Sequence, residues 1–379
     1  MILFNKMSLL FFIIYFVLVF VFLNILYSKT KVYYLPLTYK DKETIKLVDV
    51  HKLYEPFQSK DELNNWKLII CGLFLFPIKF SLDILIIICF MIHLKIFSIF
   101  YKNQDTNPDQ YDKLSKIMKF YNKLFLACSM VNLMEKKIDC KEIYKKYLGP
   151  DYDFDDKKYS LIICNHIGFY DVISNMYLHA SGFIAKEAVS RYWLIGPISK
   201  SINCLFVNRE NQSSRNEIFE KLYERQTKFL EGKYFAPLVL FPEGTTTSGR
   251  NILKFKKGAF YHLLPIKPEI INIYQENKCH IAVGSQNLLF NTLKYLCFLT
   301  KNLYYVDMPV VRPTEYMFKN YSHLGKEKWE VYAEVVRKIY CEVGGFKESN
   351  LGYRDSKAYS EAMIKGEFDY EILLQKKKE

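Results

Sequence analysis

The feature that most constrains the fold is a histidine and an aspartate, His166 and Asp171, placed directly after a short apolar run. The run, residues 161–164, is typical of a buried strand. The pattern therefore predicts that both side chains lie where a strand ends. A carboxylate that orients an imidazole there allows the histidine to act as a general base. For an isolated pair of this kind, the alternative is a structural histidine satisfied by a nearby carboxylate.

A second motif, residues 241–247, stands at the end of another apolar run and contains an acid, a glycine and three threonines. Glycine permits close approach of the backbone to an anion, and threonine hydroxyls donate to anionic oxygens. We therefore predict that Glu243, Gly244 and Thr245 bind substrate, through a phosphate or glycerol hydroxyls. Lys256, in the basic run that follows, joins this predicted site. Taken alone, Pro-Glu-Gly would be only a turn.

Two further residues complete the set of substrate-binding candidates. Asn165 stands directly before the histidine. Arg209 follows the predicted strand 204–207, and its guanidinium has the planar fork that suits a phosphate. The alternative for Arg209 is a surface arginine paired with Glu210.

Between residues 159 and 311, short apolar runs alternate with amphipathic stretches. This alternation predicts an α/β fold with a mixed, largely parallel sheet flanked by helices. The predicted strands are residues 161–164, 183–185, 204–207, 238–241 and 270–273. The predicted helices are residues 111–134, 139–148, a segment that starts at the capping box 214–217, and 326–343.

Two N-terminal segments predict membrane helices. Residues 8–27 carry no charge and have the length of a membrane-spanning helix, although a signal peptide is the alternative. Residues 68–100 are also apolar, but Pro77, Lys79 and Asp83 interrupt them. Because proline breaks the helical ladder and charges resist burial in lipid, we predict two short helices in a membrane-embedded hairpin. The alternative is a transmembrane helix over residues 82–100.

Composition narrows the classes of partner. The chain has 53 Lys and Arg against 40 Asp and Glu, a formal net charge of +13. Since no nucleic-acid motif accompanies this charge, it predicts an anionic phospholipid surface as partner and no nucleic acid. The nine cysteines show neither paired nor zinc-type spacing. We therefore predict no metal site, no disulfide framework and a catalytic domain that faces the cytosol.

The predicted domain organisation follows from these segments. It comprises a transmembrane anchor (1–31), a linker (32–65), the membrane hairpin (66–101), a helical linker (102–155), a catalytic domain (156–320) and a C-terminal helical extension (321–379).

Four blocks of the chain together resemble the glycerolipid acyltransferase (PlsC-like) family. They are Asn-His-x4-Asp at 165–171, a glycine-containing stretch leading to Arg209, Pro-Glu-Gly-Thr at 242–245, and a proline-flanked strand at 265–268. Residues 76–79, 243–250 and 255–260 resemble the branch that acylates lysophosphatidylcholine and lysophosphatidylethanolamine.

The resemblance implies transfer of a fatty acyl group from the co-substrate acyl-CoA to the free hydroxyl of a lysophospholipid, with no bound cofactor. His166 and Asp171 would be catalytic. The alternatives are acylation of lysophosphatidic acid, or a non-catalytic lipid-binding subunit with a partner in a membrane complex. The expected location is the endoplasmic reticulum membrane, supported by Lys376 to Lys378 near the C-terminus, with a mitochondrial membrane as the alternative.

Overall fold

The structure is a computed structural model that describes residues 2–31, 52–58, 65–208, 212–273, 284, 287–299 and 301–365. Its centre is a seven-stranded sheet, accompanied by a separate two-stranded one. The strands of the described residues are β1 (Val131–Glu135), β2 (Leu161–Cys164), β3 (Gly182–Lys186), β4 (Leu205–Val207), β5 (Leu238–Leu240), β6 (Asn251–Leu253), β7 (Ile266–Ile273), β8 (Lys301–Asp307) and β9 (Lys347–Ser349).

The large sheet has the strand order β1-β8-β7-β2-β5-β3-β4. Every neighbouring pair is parallel except β7 and β8, which run antiparallel. In the small sheet, β6 pairs with β9. The predicted α/β fold with a mixed, largely parallel sheet is therefore confirmed. Because β2, β5, β3 and β7 are parallel, their carboxyl ends share one edge of the sheet, which we call the carboxyl edge.

Helices cover both faces of the large sheet. In chain order they are α1 (Ile2–Lys31), α2 (Asn65–Phe100), α3 (Pro108–Cys128), α4 (Lys141–Leu148), α5 (Phe169–His179), α6 (Ile195–Ser201), α7 (Gln212–Leu230), α8 (Leu288–Leu296), α9 (Glu315–Asn320), α10 (Lys328–Gly344) and α11 (Tyr353–Lys365). The helix predicted to start at the capping box 214–217 thus begins earlier, at Gln212.

Strand β2 shows why this sheet needs two covering layers. Leu161 and Ile163 join one buried cluster, which contains residues of α4 and α10. Ile162 and Cys164 join another, which contains residues of α2, α3, α5 and α6. Successive side chains of a strand point to opposite faces, so a strand that is apolar throughout must be covered on both.

The helix predicted over residues 111–134 is wrong beyond Cys128. Met130 adopts a left-handed backbone conformation with φ 55°. The chain then enters β1, which pairs in parallel with β8. The partner strand lies far along the chain, so the local amphipathic pattern contained no sign of it. Residues 102–155 accordingly contribute a strand to the large sheet, which the predicted helical linker did not include.

The membrane hairpin predicted for residues 66–101 is also wrong, because α2 is one continuous helix with Pro77 inside it. The charges did not force a turn, since the protein itself satisfies them. Lys79 Nζ donates to the carbonyl of Phe298 at 2.6 Å, and Asp83 accepts from the Ser129 hydroxyl at 2.9 Å. Both charged side chains are buried. They face the segments that follow α8 and α3, and not lipid as predicted.

Helix α1 packs on the first half of α2. Phe22 stacks on Phe76, and a buried cluster unites Leu23 and Leu26 with α2 and with α8. Among the residues whose side chains are described, the stretch Ile69–Phe100 is long and apolar enough to cross a membrane, judged by length and composition. α1 is helical over the segment predicted as an anchor, and its role as an anchor stays a prediction.

Helix α10, which lies in the predicted C-terminal extension, is part of the main core. Its Tyr340 hydroxyl lies 2.7 Å from the carbonyl of Ile163 in β2 and 2.8 Å from that of Glu269 in β7. The helix ends as predicted, because Gly345 adopts a left-handed conformation with φ 66°. The core thus runs across the predicted boundary at residue 320. The other predicted domain limits stay predictions.

We predict that Asp83→Ala lowers the stability of the folded protein by about 1–3 kcal/mol, the scale for leaving a buried hydrogen-bonding group without its partner. The change leaves the buried Ser129 hydroxyl without its acceptor. Thermal unfolding in detergent would measure the effect. Lys95→Ala, at an exposed position of α2, is the matched control. Equal melting temperatures for both variants would contradict the assigned role of Asp83.

Candidate active site

His166 and Asp171 meet at the carboxyl edge, as the sequence predicted. His166 follows the end of β2, and Asp171 lies in the first turn of α5. The Nδ1 atom of His166 is 2.9 Å from Oδ2 of Asp171. The same carboxylate oxygen accepts from the backbone N–H groups of Ile167 at 2.7 Å and Gly168 at 2.9 Å. A carboxylate at a helix N-terminus is stabilised by these donors and by the helix dipole, so Asp171 is a fixed acceptor.

The His166 ring is also fixed in orientation. It stacks on Phe241 with ring centroids 4.1 Å apart and an interplanar angle of 14°. Because an ionised carboxylate only accepts hydrogen bonds, Asp171 selects the tautomer with the proton on Nδ1. The lone pair then lies on Nε2, which makes no hydrogen bond with the described part of the chain. The imidazole is 23 % exposed while the carboxylate is fully buried, an arrangement suited to a base.

The second motif holds the backbone of His166 from both sides. Glu243 Oε1 accepts from the N–H of His166 at 3.0 Å, and the N–H of Thr247 donates to the carbonyl of His166 at 2.9 Å. The other Glu243 oxygen accepts from the N–H of Leu253 at 3.0 Å. Glu243 is fully buried. The structure therefore places Glu243 as a positioning residue for His166, whereas the sequence had predicted a substrate contact.

Asn165 has a similar structural use. Its side-chain amide donates to the carbonyl of Ile271 and accepts from the N–H of the same residue, both at 2.7 Å. Asn165 is buried, and these two bonds tie the end of β2 to β7. It anchors the segment that carries His166 and presents no open polar atom to a ligand.

Gly244 and Thr245, two further binding candidates, directly follow Glu243, and Lys256 lies beside them. Gly244 adopts φ 71°, a conformation that favours glycine, and its N–H bonds the carbonyl of Phe241 at 3.1 Å. Lys256 runs alongside, because its Cγ would lie 3.6 Å from a Cβ at Gly244. Thr245 is half-exposed, and its hydroxyl bonds no residue that the structure describes. Arg209 lies outside the described residues.

Sequence reasoning missed three contributors to this site. Phe241 was read only as part of a strand, yet its ring supports His166. Thr247 was read as one of several hydroxyls, yet its backbone holds the histidine. The predicted linker supplies the third, because the carbonyl of Pro56 accepts from Ser248 N–H at 2.6 Å. The pairing of β2 with β5, Ile162 opposite Val239, would have indicated the first two.

Burial raises the pKa of Glu243 to about 7, against backbone hydrogen bonds from Leu253 and His166 that lower it. The fully buried carboxylate loses the water that would solvate its charge, and this cost exceeds the gain from two donors. Among the described residues, no group of three His, Cys, Asp or Glu side chains is arranged to hold a metal ion.

Known proteins that are similar to this chain are acyltransferases. The Acyltransferase family model matches residues 146–275, which contain both motifs. Lysophospholipid acyltransferase LPEAT1 of Arabidopsis thaliana is 32 % identical over 203 residues, which cover 52 % of this chain and 48 % of that protein. Lysophosphatidylcholine acyltransferase 1 of Homo sapiens is 25 % identical over 201 residues, which cover 52 % of this chain and 34 % of that one.

Residues 146–275 are therefore similar to the acyltransferase domains of that family. The predicted resemblance to the lysophospholipid branch of the PlsC-like acyltransferases is confirmed by these relatives. The chain spans about half the length, or less, of the curated relatives it matches. Among solved structures, the LPA acyltransferase PlsC from Thermotoga maritima matches with a TM-score of 0.49 and 17 % identity, covering 73 % of this chain and 96 % of that one.

We predict that Glu243 makes stability fall as the pH rises from its ordinary pKa of 4.5 to about 7. In this range the folded protein keeps a proton that the unfolded chain releases, so the contribution is complete below pH 4.5 and is lost above 7. Denaturant unfolding across this range would measure it. Glu243→Gln should flatten that part of the profile, whereas Glu224→Gln, at an exposed position, should not. An unchanged profile in Glu243→Gln would contradict the assignment.

Proposed function

We propose that the protein transfers a fatty acyl group from acyl-CoA to the free hydroxyl of a lysophospholipid, such as lysophosphatidylcholine or lysophosphatidylethanolamine. The observation that carries the proposal is the His166–Asp171 pair, 2.9 Å apart, with Nε2 directed away from the carboxylate at the carboxyl edge. The names of the curated relatives support the substrate class. The apolar helix α2 beside the domain supports a lipid substrate.

In the proposed reaction, Nε2 of His166 removes the proton from the lysophospholipid hydroxyl. The oxygen attacks the thioester carbonyl, a carbon–oxygen bond forms and the carbon–sulfur bond breaks. The thiolate of CoA leaves and takes the proton back from the imidazolium. Asp171 stabilises that transient positive charge and keeps the ring oriented, so no acyl-enzyme is required.

For the substrate headgroup, the turn at Gly244 is the best-placed surface. Gly244 permits close approach of the backbone, Thr245 supplies a hydroxyl and Lys256 supplies a cation. All three lie beside Glu243, which holds the backbone of His166. We propose that these three bind the phosphate or glycerol oxygens. The corresponding proposal for Arg209 rests on its sequence position alone.

The cellular setting is also a proposal. Net charge and the lysines on either side of the apolar segment 8–27 favour a membrane anchor with the domain in the cytosol, at the endoplasmic reticulum or alternatively at mitochondria. The C-terminal lysines that suggested the former lie outside the described residues. A partner in a membrane complex stays a prediction.

We predict that His166→Ala lowers turnover by about 10²–10⁴-fold, the usual contribution of a general base. Release of free CoA by detergent-purified protein, supplied with oleoyl-CoA and a lysophospholipid, would measure this. Turnover near the wild-type rate in His166→Ala would sink the mechanism.

The chain contains a matched control for this variant. His179, at the other end of α5, pairs with Glu269 at 2.7 Å and is 24 % exposed, much as His166 pairs with Asp171. His179→Ala removes a comparable ring and ion pair at the opposite end of α5 from Asp171. It should keep near-normal turnover, so a loss in both variants would point to misfolding.

A panel of acceptors separates the alternatives for the substrate. We expect turnover with lysophosphatidylcholine or lysophosphatidylethanolamine to exceed turnover with lysophosphatidic acid, measured as acylated product with delipidated enzyme. A preference for lysophosphatidic acid would instead support acylation of that lipid. Lipid binding without turnover of any acceptor would support a non-catalytic subunit.

A further inference from the structure

Beyond the proposed reaction, one exposed aromatic pair indicates how the catalytic domain lies on the bilayer. Tyr192 and Trp193, between β3 and α6, are 58 % and 74 % exposed, although both rings are large and apolar over most of their area. Single exposed apolar residues are common on protein surfaces. The position of this pair relative to α1 and α2 is the reason to assign it a function.

The pair lies at the carboxyl edge, with the candidate active site. β3 is parallel to β5, which is parallel to β2, so the loop after β3 leaves the sheet at the edge where His166 follows β2. The loop begins with a short 3-10 helix, Glu187–Arg191, and Tyr192 and Trp193 come directly after it.

The apolar helix α1 and the first half of α2 project from the same edge. Asp83 in α2 bonds Ser129, which follows α3, and Phe125 near the end of α3 contacts Phe169 just after the His166 segment. The part of α2 before Asp83 therefore lies beyond the carboxyl edge, where it packs with α1 and α8. Residues 69–78 carry no charge, and Ile70, Phe74 and Ile78 are exposed along this part of α2.

Contacts along α6 orient the loop with respect to α2. Helix α6 packs on α2, and the carbonyl of its last residue, Ser201, accepts from Gln104, just after the C-terminus of α2. The first residue of α6 must then point toward the middle and beginning of α2. Tyr192 and Trp193, which precede α6, thus lie on the side where α1 and the apolar half of α2 project.

The loop is also held in a fixed shape. Gly196 N–H bonds the carbonyl of Tyr192 at 2.7 Å, and a Cβ at Gly196 would lie only 2.5 Å from the carbonyl oxygen of Ser190. The Ser190 hydroxyl bonds the carbonyl of Glu187 at 2.7 Å. Only glycine fits this close approach. The turn that carries Tyr192 and Trp193 is therefore held by its own hydrogen bonds and close packing.

We propose that Tyr192 and Trp193 insert into the headgroup region of a phospholipid bilayer, as a second contact beside α1 and α2, so that the carboxyl edge faces the membrane. Tyr and Trp are the side chains that favour the membrane–water interface, because an apolar ring meets a polar tip. The net charge of +13 complements anionic headgroups, whereas the exposed Arg191 beside the two rings already pairs with Glu187. Tyr192 and Trp193 lie on the same side of the protein as the exposed apolar side chains of α1 and α2, which favours lipid over a protein partner.

Tryptophan fluorescence tests this directly, since the chain has three tryptophans, Trp66, Trp193 and Trp329. A variant with Trp66→Phe and Trp329→Phe retains Trp193 as its one emitter. In lipid nanodiscs that contain phosphatidylcholine and phosphatidylserine, we expect brominated acyl chains to quench its emission. Aqueous iodide, which reaches both sides of a nanodisc, should quench it weakly.

The matched control retains Trp329 and carries Trp66→Phe and Trp193→Phe. Trp329 lies at the start of α10, on the opposite face of the sheet from α2, and should not respond to brominated lipid. Strong quenching of Trp193 by iodide with none by bromine would overturn the proposal. Protection from both quenchers would also overturn it, because it would indicate a protein partner. Neither readout depends on turnover, so the result stands apart from the proposed reaction.

Discussion

The candidate active site depends on the hydrogen bonds between the second motif and the backbone of His166. Glu243 accepts from its N–H and Thr247 donates to its carbonyl, so the peptide groups on both sides of the His166 ring are bonded. Asp171 then sets the ring from the helix side, and Phe241 supports its face. In the proposed reaction, a base whose backbone, ring nitrogen and ring face are all constrained loses little freedom when the substrate binds, which favours rapid proton transfer.

The cost of these hydrogen bonds is a fully buried carboxylate. Burial raises the pKa of Glu243 to about 7. The carboxyl group that positions His166 is therefore partly protonated at physiological pH. A more polar surrounding would stabilise its charge, but the strand ends would then be open to water. The two backbone donors from His166 and Leu253 offset part of the desolvation.

Charged groups are also buried where the apolar helix α2 meets the rest of the protein. Lys79 and Asp83 are buried in polar contacts with Phe298 and Ser129, while the rest of this half of α2 exposes apolar side chains. The face of α2 that packs against the rest of the protein therefore carries the charged groups, and its exposed face is apolar. This division fixes α2 to the sheet near His166 and leaves a surface suited to lipid at the same edge.

The sequence by itself determined the α/β class, the position of His166 and Asp171 at a strand end, and the C-terminus of α10, because each depends on a local pattern of apolar residues, glycine and short-range pairing. Only the tertiary structure decided the roles of Glu243 and Asn165, the strand β1 and the continuity of α2. Each of these depends on partners far along the chain: Glu243 bonds His166, β1 pairs with β8, and Lys79 bonds Phe298. A buried polar group takes its role from the atom it bonds, and the sequence does not specify which distant atom folding brings within reach.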